Sequence, residues 1–171
     1  MRFKSVVAIT AATLLTALAQ PVAAQVLSCT GNGCFTSNTG TLTVGDVMQL
    51  DLSSVSTNLG TPVLADFNAG SILSTGPTAT VWSNRAYRVT VDAPSDFVYT
   101  GSLAGTKVKG DLQWKTTGAF ASLTTGAADA YAGTSHNGTA SAAIQYKTLL
   151  AYANDKPGSY ALLVKFTLTA P

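Results

Sequence analysis

The chain has 171 residues, of which only 11% are charged, and its acidic side chains are eight aspartates with no glutamate. Its formal net charge of +2 includes Arg2 and Lys4, and without these two residues the basic and acidic side chains balance. A neutral surface excludes long-range attraction of nucleic acid or anionic lipid. Thr and Val, which suit strands, are abundant, whereas the helix-forming Glu is absent, so the composition indicates an all-β protein.

The N-terminus has the pattern of a secretory signal peptide. Arg2 and Lys4 form a short positive region, and an uncharged, largely apolar stretch follows at residues 5–19. Small residues then lead to Ala24, after which we predict cleavage. The mature chain is therefore expected in an extracytoplasmic compartment, either secreted, periplasmic or on the cell surface.

The domain organisation follows from that cleavage site. We predict a signal peptide at residues 1–24 and a single domain at residues 25–171, which is long enough to bury a proper core. A retained membrane anchor stays open as an alternative, although a bilayer-spanning helix needs about 20 apolar residues. A lipoprotein with Cys29 as its lipidated N-terminus is the other alternative. No membrane insertion of the mature chain is expected.

Two cysteines, Cys29 and Cys34, lie close together near the predicted mature N-terminus. In an oxidising compartment we expect them to form a disulfide that closes a tight loop around residues 31–33. A metal site would need more ligands, and the chain has no third cysteine and one distant histidine, His136. The spacing also differs from the C-x-x-C motif of redox sites.

The mature region consists of short alternating runs separated by clusters of Gly, Pro, Asn and Asp. Gly45-Asp46 and Ser83-Asn84 are each flanked by two such runs and predict tight turns. The run at 107–115 alternates apolar residues with charged ones, which places Lys107 on its solvent face. The strands predicted in this half of the chain are 41–44, 47–52, 78–82, 85–91 and 107–115.

The tract at 118–139 predicts a loop with one short strand near Phe120. Beyond it, two longer runs at 142–150 and 160–170 flank a turn-rich segment at 154–159, and the simplest interpretation is an antiparallel hairpin. The last run is expected to turn five alternating residues towards a core, namely Tyr160, Leu162, Val164, Phe166 and Leu168. About seven or eight strands of this kind predict a β-sandwich.

One turn near the C-terminus carries a family resemblance. Pro157, Gly158 and Tyr160, followed by an alternating strand, resemble the tyrosine corner of Ig-like folds, in which a Tyr hydrogen-bonds back across the preceding turn. With Trp82-Ser83-Asn84 before another alternating strand, the chain is similar to secreted bacterial Ig-like sandwiches of the surface, coat and pilus-subunit kind. The resemblance implies an Ig-like antiparallel β-sandwich. The chain departs from Ig domains because its cysteines cannot bridge two sheets, and from pilus subunits because no free N-terminal donor strand is evident.

The sequence offers little for catalysis or metal binding. A hydrolase triad needs a histidine base, and His136 lies in a polar stretch typical of an exposed loop. Most aspartates lie in apparent turns, where they cap backbone groups. Asp92 and Asp96 are a weak candidate pair for calcium. We predict no catalytic residue, no metal and no cofactor. Trp82 and Trp114 are interpreted as edge or core residues.

These observations favour a non-catalytic extracytoplasmic module with a structural or adhesive role, such as a surface, coat or fibre subunit. Its partner is expected to be another protein or a second copy, contacted through a sheet edge or loops. The alternative is an accessory periplasmic subunit of a membrane or envelope complex, and a secreted enzyme is the third hypothesis. A last strand that completes the protein's own sheet would make the purified domain a monomer.

The cysteine prediction is tested by mass. Non-reducing mass spectrometry of the exported protein is expected to find the peptide containing Cys29 and Cys34 two hydrogens lighter than its dithiol form, because an oxidising compartment closes the pair. Free thiols, or an added acyl mass on Cys29, would contradict this prediction.

Overall fold

The computed structural model describes residues 30–130 and 136–171. The chain divides into two compact units, residues 1–43 and residues 44–171. In the first unit, the described residues 30–43 contain no helix or strand, and their side chains are exposed. Ala24 and Cys29 lie outside the described residues, so the signal peptide, its cleavage, the domain boundary at residue 25 and the disulfide stay predictions.

The second unit is built almost entirely of strands, all paired antiparallel. The described residues contain one short α-helix and one 3₁₀ turn (Lys109–Asp111). The prediction of an all-β, antiparallel fold is therefore confirmed. The elements in chain order are β1 Met48–Leu52, α1 Leu64–Ala69, β2 Ser71–Asp92, β3 Val98–Thr100, β4 Leu112–Lys115, β5 Ala121–Ser122, β6 Ala128–Asp129, β7 His136–Leu149, β8 Ser159–Ala161 and β9 Lys165–Thr169.

Strand β2 is 22 residues long and belongs to two sheets. Its first half lies in a sheet of strand order β1-β2-β7-β4-β5, and its second half pairs with β6 and β9. A register shift between Ser83 and Tyr87 marks the passage from one set of partners to the other. An extra residue in one strand bends it and re-aims its side chains, which lets one strand serve both layers. Strands β3 and β8 form a separate two-stranded sheet.

The turn predicted at Ser83-Asn84 is wrong, because both residues lie within β2. The Asn84 side chain accepts a hydrogen bond from Val47 N at 2.8 Å and donates one to Gly45 O at 2.7 Å. Asn84 thus satisfies the backbone of the segment before β1 instead of closing a hairpin. The strand predicted at 41–44 is also wrong, since no strand precedes Met48 among the described residues.

The hairpin predicted between the last two runs is wrong as well. Strand β7 pairs with β2 and β4, whereas β9 pairs with the second half of β2. Alternation defines which face of a strand is buried, but it does not name the strand beside it. The predicted inward face is confirmed, since its five residues all pack against the core: Tyr160, Leu162, Val164, Phe166 and Leu168.

The core lies between the two sheets that share β2. Val81, Ile144 and Leu112 contribute from the first sheet, and Val89 and Val91 contribute from the second, all within one buried cluster. Because side chains from both sheets meet in a single cluster, the second unit is a β-sandwich. Short helix α1, which no sequence pattern predicted, lies before β2 at the end of a long loop, residues 53–63.

Packing in this core is tested at Ile144, which is 0% exposed. Ile144→Ala is expected to lower the free energy of unfolding by about 2–5 kcal/mol, because it removes buried methyl groups and leaves a cavity. Leu73, on the neighbouring strand β2 but 67% exposed, is the matched control. Leu73→Ala should change stability by less than about 0.5 kcal/mol. Equal losses in urea denaturation would contradict this arrangement of the core.

Candidate functional site

The second unit contains an apolar groove with a cavity volume of about 800 Å³. One wall consists of Leu52 and residues 54–62, which follow β1. The other wall consists of residues 155–164 and Phe166, which run through β8 towards β9. The groove therefore lies between the loop that follows β1 and the segment that precedes β9.

The floor of the groove is formed by large apolar side chains from several elements. Tyr146 is one of them. It belongs to β7, where it is paired with Ser74 of β2 on one side and with Trp114 of β4 on the other. Tyr146 is 3% exposed, and burial raises the pKa of its phenol to about 12. The other large apolar residues of the floor are Phe67, Ile72, Phe97, Leu112 and Leu150.

Both walls contain backbone that no strand pairs with in the described structure. Residues 162–164 lie between β8 and β9, outside either ladder, while Leu162 and Val164 pack inward and Leu163 is 65% exposed. Residues 54–62 contain no strand, and the hydrogen bonds they make lie within the segment, such as Gly60 N to Asn58 Oδ1 at 2.9 Å. Unpaired N–H and C=O groups beside an apolar floor form a place where another strand can add.

A buried ion pair holds one end of the groove. Lys107 Nζ donates to Leu149 O at 2.7 Å and to Asp155 Oδ1 at 2.7 Å, with Asp111 Oδ2 at 3.5 Å. The Lys107 and Asp155 side chains are only 4% and 7% exposed. Asp155 also accepts from Ala151 N at 2.8 Å. The pair thus ties the turn after β7 to the segment before β4. The prediction that Lys107 faces solvent is wrong, because Asp155 compensates its charge in the interior.

The turn at Pro157, Gly158 and Tyr160 forms part of the second wall. The Tyr160 hydroxyl donates to Lys156 O at 3.0 Å and accepts from Lys156 N at 2.8 Å, so it bonds back to the residue before the turn. The Tyr99 hydroxyl donates to Pro157 O at 2.7 Å. Gly158 has φ +156, and a Cβ there would lie 2.6 Å from Thr100 O, so this close approach of two backbones requires glycine. The pKa of the Tyr160 phenol is raised, mainly because the group is buried.

The other residues singled out in the sequence lie away from the groove or outside the described residues. Cys34 lies in the first unit, and its predicted partner is not among the described residues. His136, predicted in a loop, is instead the first residue of β7. Asp92 and Asp96 face different cations, Lys165 at 3.7 Å and Lys109 at 3.8 Å.

Three further observations concern tryptophans, metals and membranes. Trp114 is buried, and Trp82 is 42% exposed on the outer face of the first sheet. Within the part of the chain that the structure describes, no group of three or more His, Cys, Asp or Glu side chains is arranged to hold a metal ion. No helix among those residues is long and apolar enough to cross a membrane.

The sequence analysis missed one feature, an apolar segment before β1 that belongs to no strand. Phe35, Leu42, Val44 and Val47 are all at least 60% exposed. The alternation of Leu42 and Val44 predicts a strand of the protein's own sheet, whereas the structure pairs neither residue with a strand. Alternation predicts that a segment can form a strand, but it carries no information about whose sheet the strand joins.

No protein-family model and no curated protein matches the chain. Among solved structures, a chain from a chaperone-usher pilus is similar to 85% of this chain and 99% of its own, with 13% identity and a TM-score of 0.47. The P pilus rod subunit PapA is similar over 79% of this chain and 100% of its own, with 15% identity and a TM-score of 0.44. Both are of the pilus-subunit kind that the sequence resembles. Similarity this distant carries no conclusion about function, which has to be inferred from the groove.

The ion pair at the end of the groove is tested by breaking it. Lys107→Met is expected to lower the free energy of unfolding by about 3–5 kcal/mol, because it leaves the Asp155 carboxylate buried without a counter-charge. Adding Asp155→Asn should restore part of the loss, since the amide is neutral and still accepts from Ala151 N. Urea denaturation measures both variants.

The matched control for this test is the Arg85–Asp46 pair, whose side chains are 39% and 68% exposed. Arg85→Met should cost less than about 1 kcal/mol, as is usual for ion pairs in solvent. A loss at Lys107 no larger than that at Arg85, or a double variant less stable than Lys107→Met alone, would contradict the role of the buried pair.

Proposed function

We propose that the protein is a non-catalytic, extracytoplasmic structural subunit that assembles with copies of itself, and that the groove receives an extended segment from a second copy. The observation that carries this proposal is the apolar groove flanked by unpaired backbone at 54–62 and 162–164. Strand addition uses both features, because main-chain hydrogen bonds provide affinity and alternate side chains enter apolar pockets.

The shape of the groove favours a polypeptide strand over a small molecule. Its walls are two chain segments that line it over about ten residues each, and its floor is apolar. Three charged side chains line the groove: Lys107 and Asp155 are paired with each other, and Lys156 Nζ donates to Ala153 O at 2.7 Å. A strand laid between the walls can place every second side chain on the floor, since successive side chains of a strand point to opposite faces.

The segment at 35–44 has the properties that such a strand needs. Leu42 and Val44 would lie on one face of an extended chain, and both are at least 68% exposed. Residues 35–45 carry no charged side chain, so burying them would desolvate no charge. A segment that exposes several large apolar side chains has a hydrophobic reason to leave water. We therefore assign the donor role to residues 35–44, which precede the backbone that Asn84 holds against β2.

A last strand that completes the protein's own sheet was expected to make the domain a monomer, and the groove changes that expectation. Strand β9 pairs with β2 of its own chain, as a self-contained domain requires. The groove beside β9 nevertheless stays open, and completing it would take one more strand. The last strand and the donor segment are thus separate elements, and the protein's own sheet does not preclude assembly.

Self-assembly is tested on the purified full chain. It is expected to form ladders that resist SDS without boiling, because a strand buried in a folded groove is released only on unfolding. Leu42→Ser combined with Val44→Ser should abolish the ladder by removing the donor, and Val164→Arg should abolish it by placing a charge in the wall. A mixture of the two variants should form dimers and nothing longer, since each retains one functional half.

Leu103→Ser is the matched control, because Leu103 is 53% exposed and lies outside both the groove and the donor segment. Its ladder should equal that of the unsubstituted chain. Monomers under all conditions would contradict self-assembly. Ladders that survive the donor substitutions would show that another surface assembles, and stable capture of a strand from a different protein alone would favour the accessory-subunit alternative.

A further inference from the structure

One side chain of the first wall, Leu59, lines the groove and packs against the core. Residues 54–61 are otherwise polar or exposed, and Val55 in the same segment is fully exposed. Leu59 is therefore the one large apolar side chain that this loop turns inward. It lies where the wall meets the apolar floor of the groove.

The backbone next to Leu59 is arranged to bring that side chain inward. Gly60 has φ +101, a conformation that favours glycine, and a Cβ at this position would lie 2.7 Å from Cδ1 of Ile72 on the groove floor. The missing side chain lets the loop approach the floor closely, so that Leu59 reaches the core. Any other residue at position 60 would be strained by the positive φ and would require the end of the Ile72 side chain to shift.

The same loop is held mainly at its two ends. Ser53 N donates to Thr78 O at 2.9 Å, and Thr78 N donates to Ser53 Oγ at 2.8 Å. At the other end, Val63 N donates to the Asp66 carboxylate at 2.8 Å. Between these anchors the hydrogen bonds lie within the loop. Among the described residues, the packing of Leu59 against the core is therefore the principal attachment of the middle of the loop to the domain.

From this geometry we infer that Leu59 is an intramolecular plug, which occupies part of the groove in the free subunit and is displaced when a donor strand enters. The inference rests on the proposed function and adds a regulatory device to it. A loop fixed at both ends and seated by one side chain can leave without unfolding the sandwich. Its competition with the donor lowers the affinity of the free groove, since an incoming strand must first displace a resident side chain.

The direction in which Leu59→Ser changes donor-peptide binding distinguishes the two roles of Leu59. A plug predicts tighter binding, and an ordinary wall residue predicts equal or weaker binding. The test uses the full chain carrying Leu42→Ser and Val44→Ser, which cannot donate its own segment, and a fluorescein-labelled peptide of residues 35–44. Adding Leu59→Ser should tighten peptide binding by roughly tenfold, because the partly buried leucine no longer competes. Gly60→Ala, which disfavours the seated loop by another route, should tighten it as well.

Val55→Ser is the control, because it changes an exposed apolar residue of the same loop and should leave the affinity unchanged. Fluorescence anisotropy gives the affinities, and circular dichroism verifies that each variant is folded.

The possible results distinguish this inference from the proposed function. Equal or weaker binding by Leu59→Ser overturns the plug while leaving strand acceptance intact. Absence of peptide binding by every folded variant, including the one that retains Leu59, overturns strand acceptance itself and the plug with it.

Discussion

Strand β2 holds the sandwich together, because its 22 residues pair with β1 and β7 in one layer and with β6 and β9 in the other. Most sandwiches join their layers through loops, whereas here one continuous strand crosses between them at a bulge. The groove is a consequence of this arrangement. Strands β1 and β9 both take their only strand partner from β2 among the described residues, so each presents its other edge to the same open side. Residues 54–62 and 155–164 extend from these two strands and become the walls.

An open edge over an apolar floor is costly in water, and the structure limits that cost in two ways. Tyr160, Leu162 and Val164 cover part of the core from one side, and Leu59 covers part from the other. The Lys107–Asp155 pair and the hydrogen bonds between Tyr160 and Lys156 hold the wall that contains Tyr160, whereas the wall that contains Leu59 has only local hydrogen bonds between its anchors. In the proposed assembly, the first wall guides the strand with its unpaired backbone at 162–164, and the second yields to it. This asymmetry is what a subunit needs if it must be stable before assembly and more stable after it.

The sequence predicted properties that depend on local chemistry, and it failed where partners are chosen over long distances. Composition and period-two alternation were enough to predict an all-β fold and the buried face from Tyr160 to Leu168, since both depend on which side of a strand is apolar. The hairpin between the last two runs was wrong because strand pairing is decided by the whole fold. Asn84 was interpreted as a turn former from its residue type, yet its side chain bonds the backbone before β1. The groove could not be predicted, because its walls, residues 54–62 and 155–164, are brought together only by long-range pairing of β1 and β9 with β2.

The balance of forces in the proposed assembly follows from the low charge of the chain. Residues 35–44 contain no ionisable carboxylate or amine. At the groove, the Lys107–Asp155 pair is compensated internally, and the remaining charge, on Lys156, bonds the nearby Ala153 O. Association must therefore depend on burial of apolar surface and on main-chain hydrogen bonds, which salt screens little, rather than on electrostatic steering. Without steering, encounter between subunits is slow, and displacement of a resident side chain slows it further. Once a strand is buried, however, its release requires opening of the sandwich. A subunit of this kind gains durability at the expense of speed, which suits a structural role better than a signalling one.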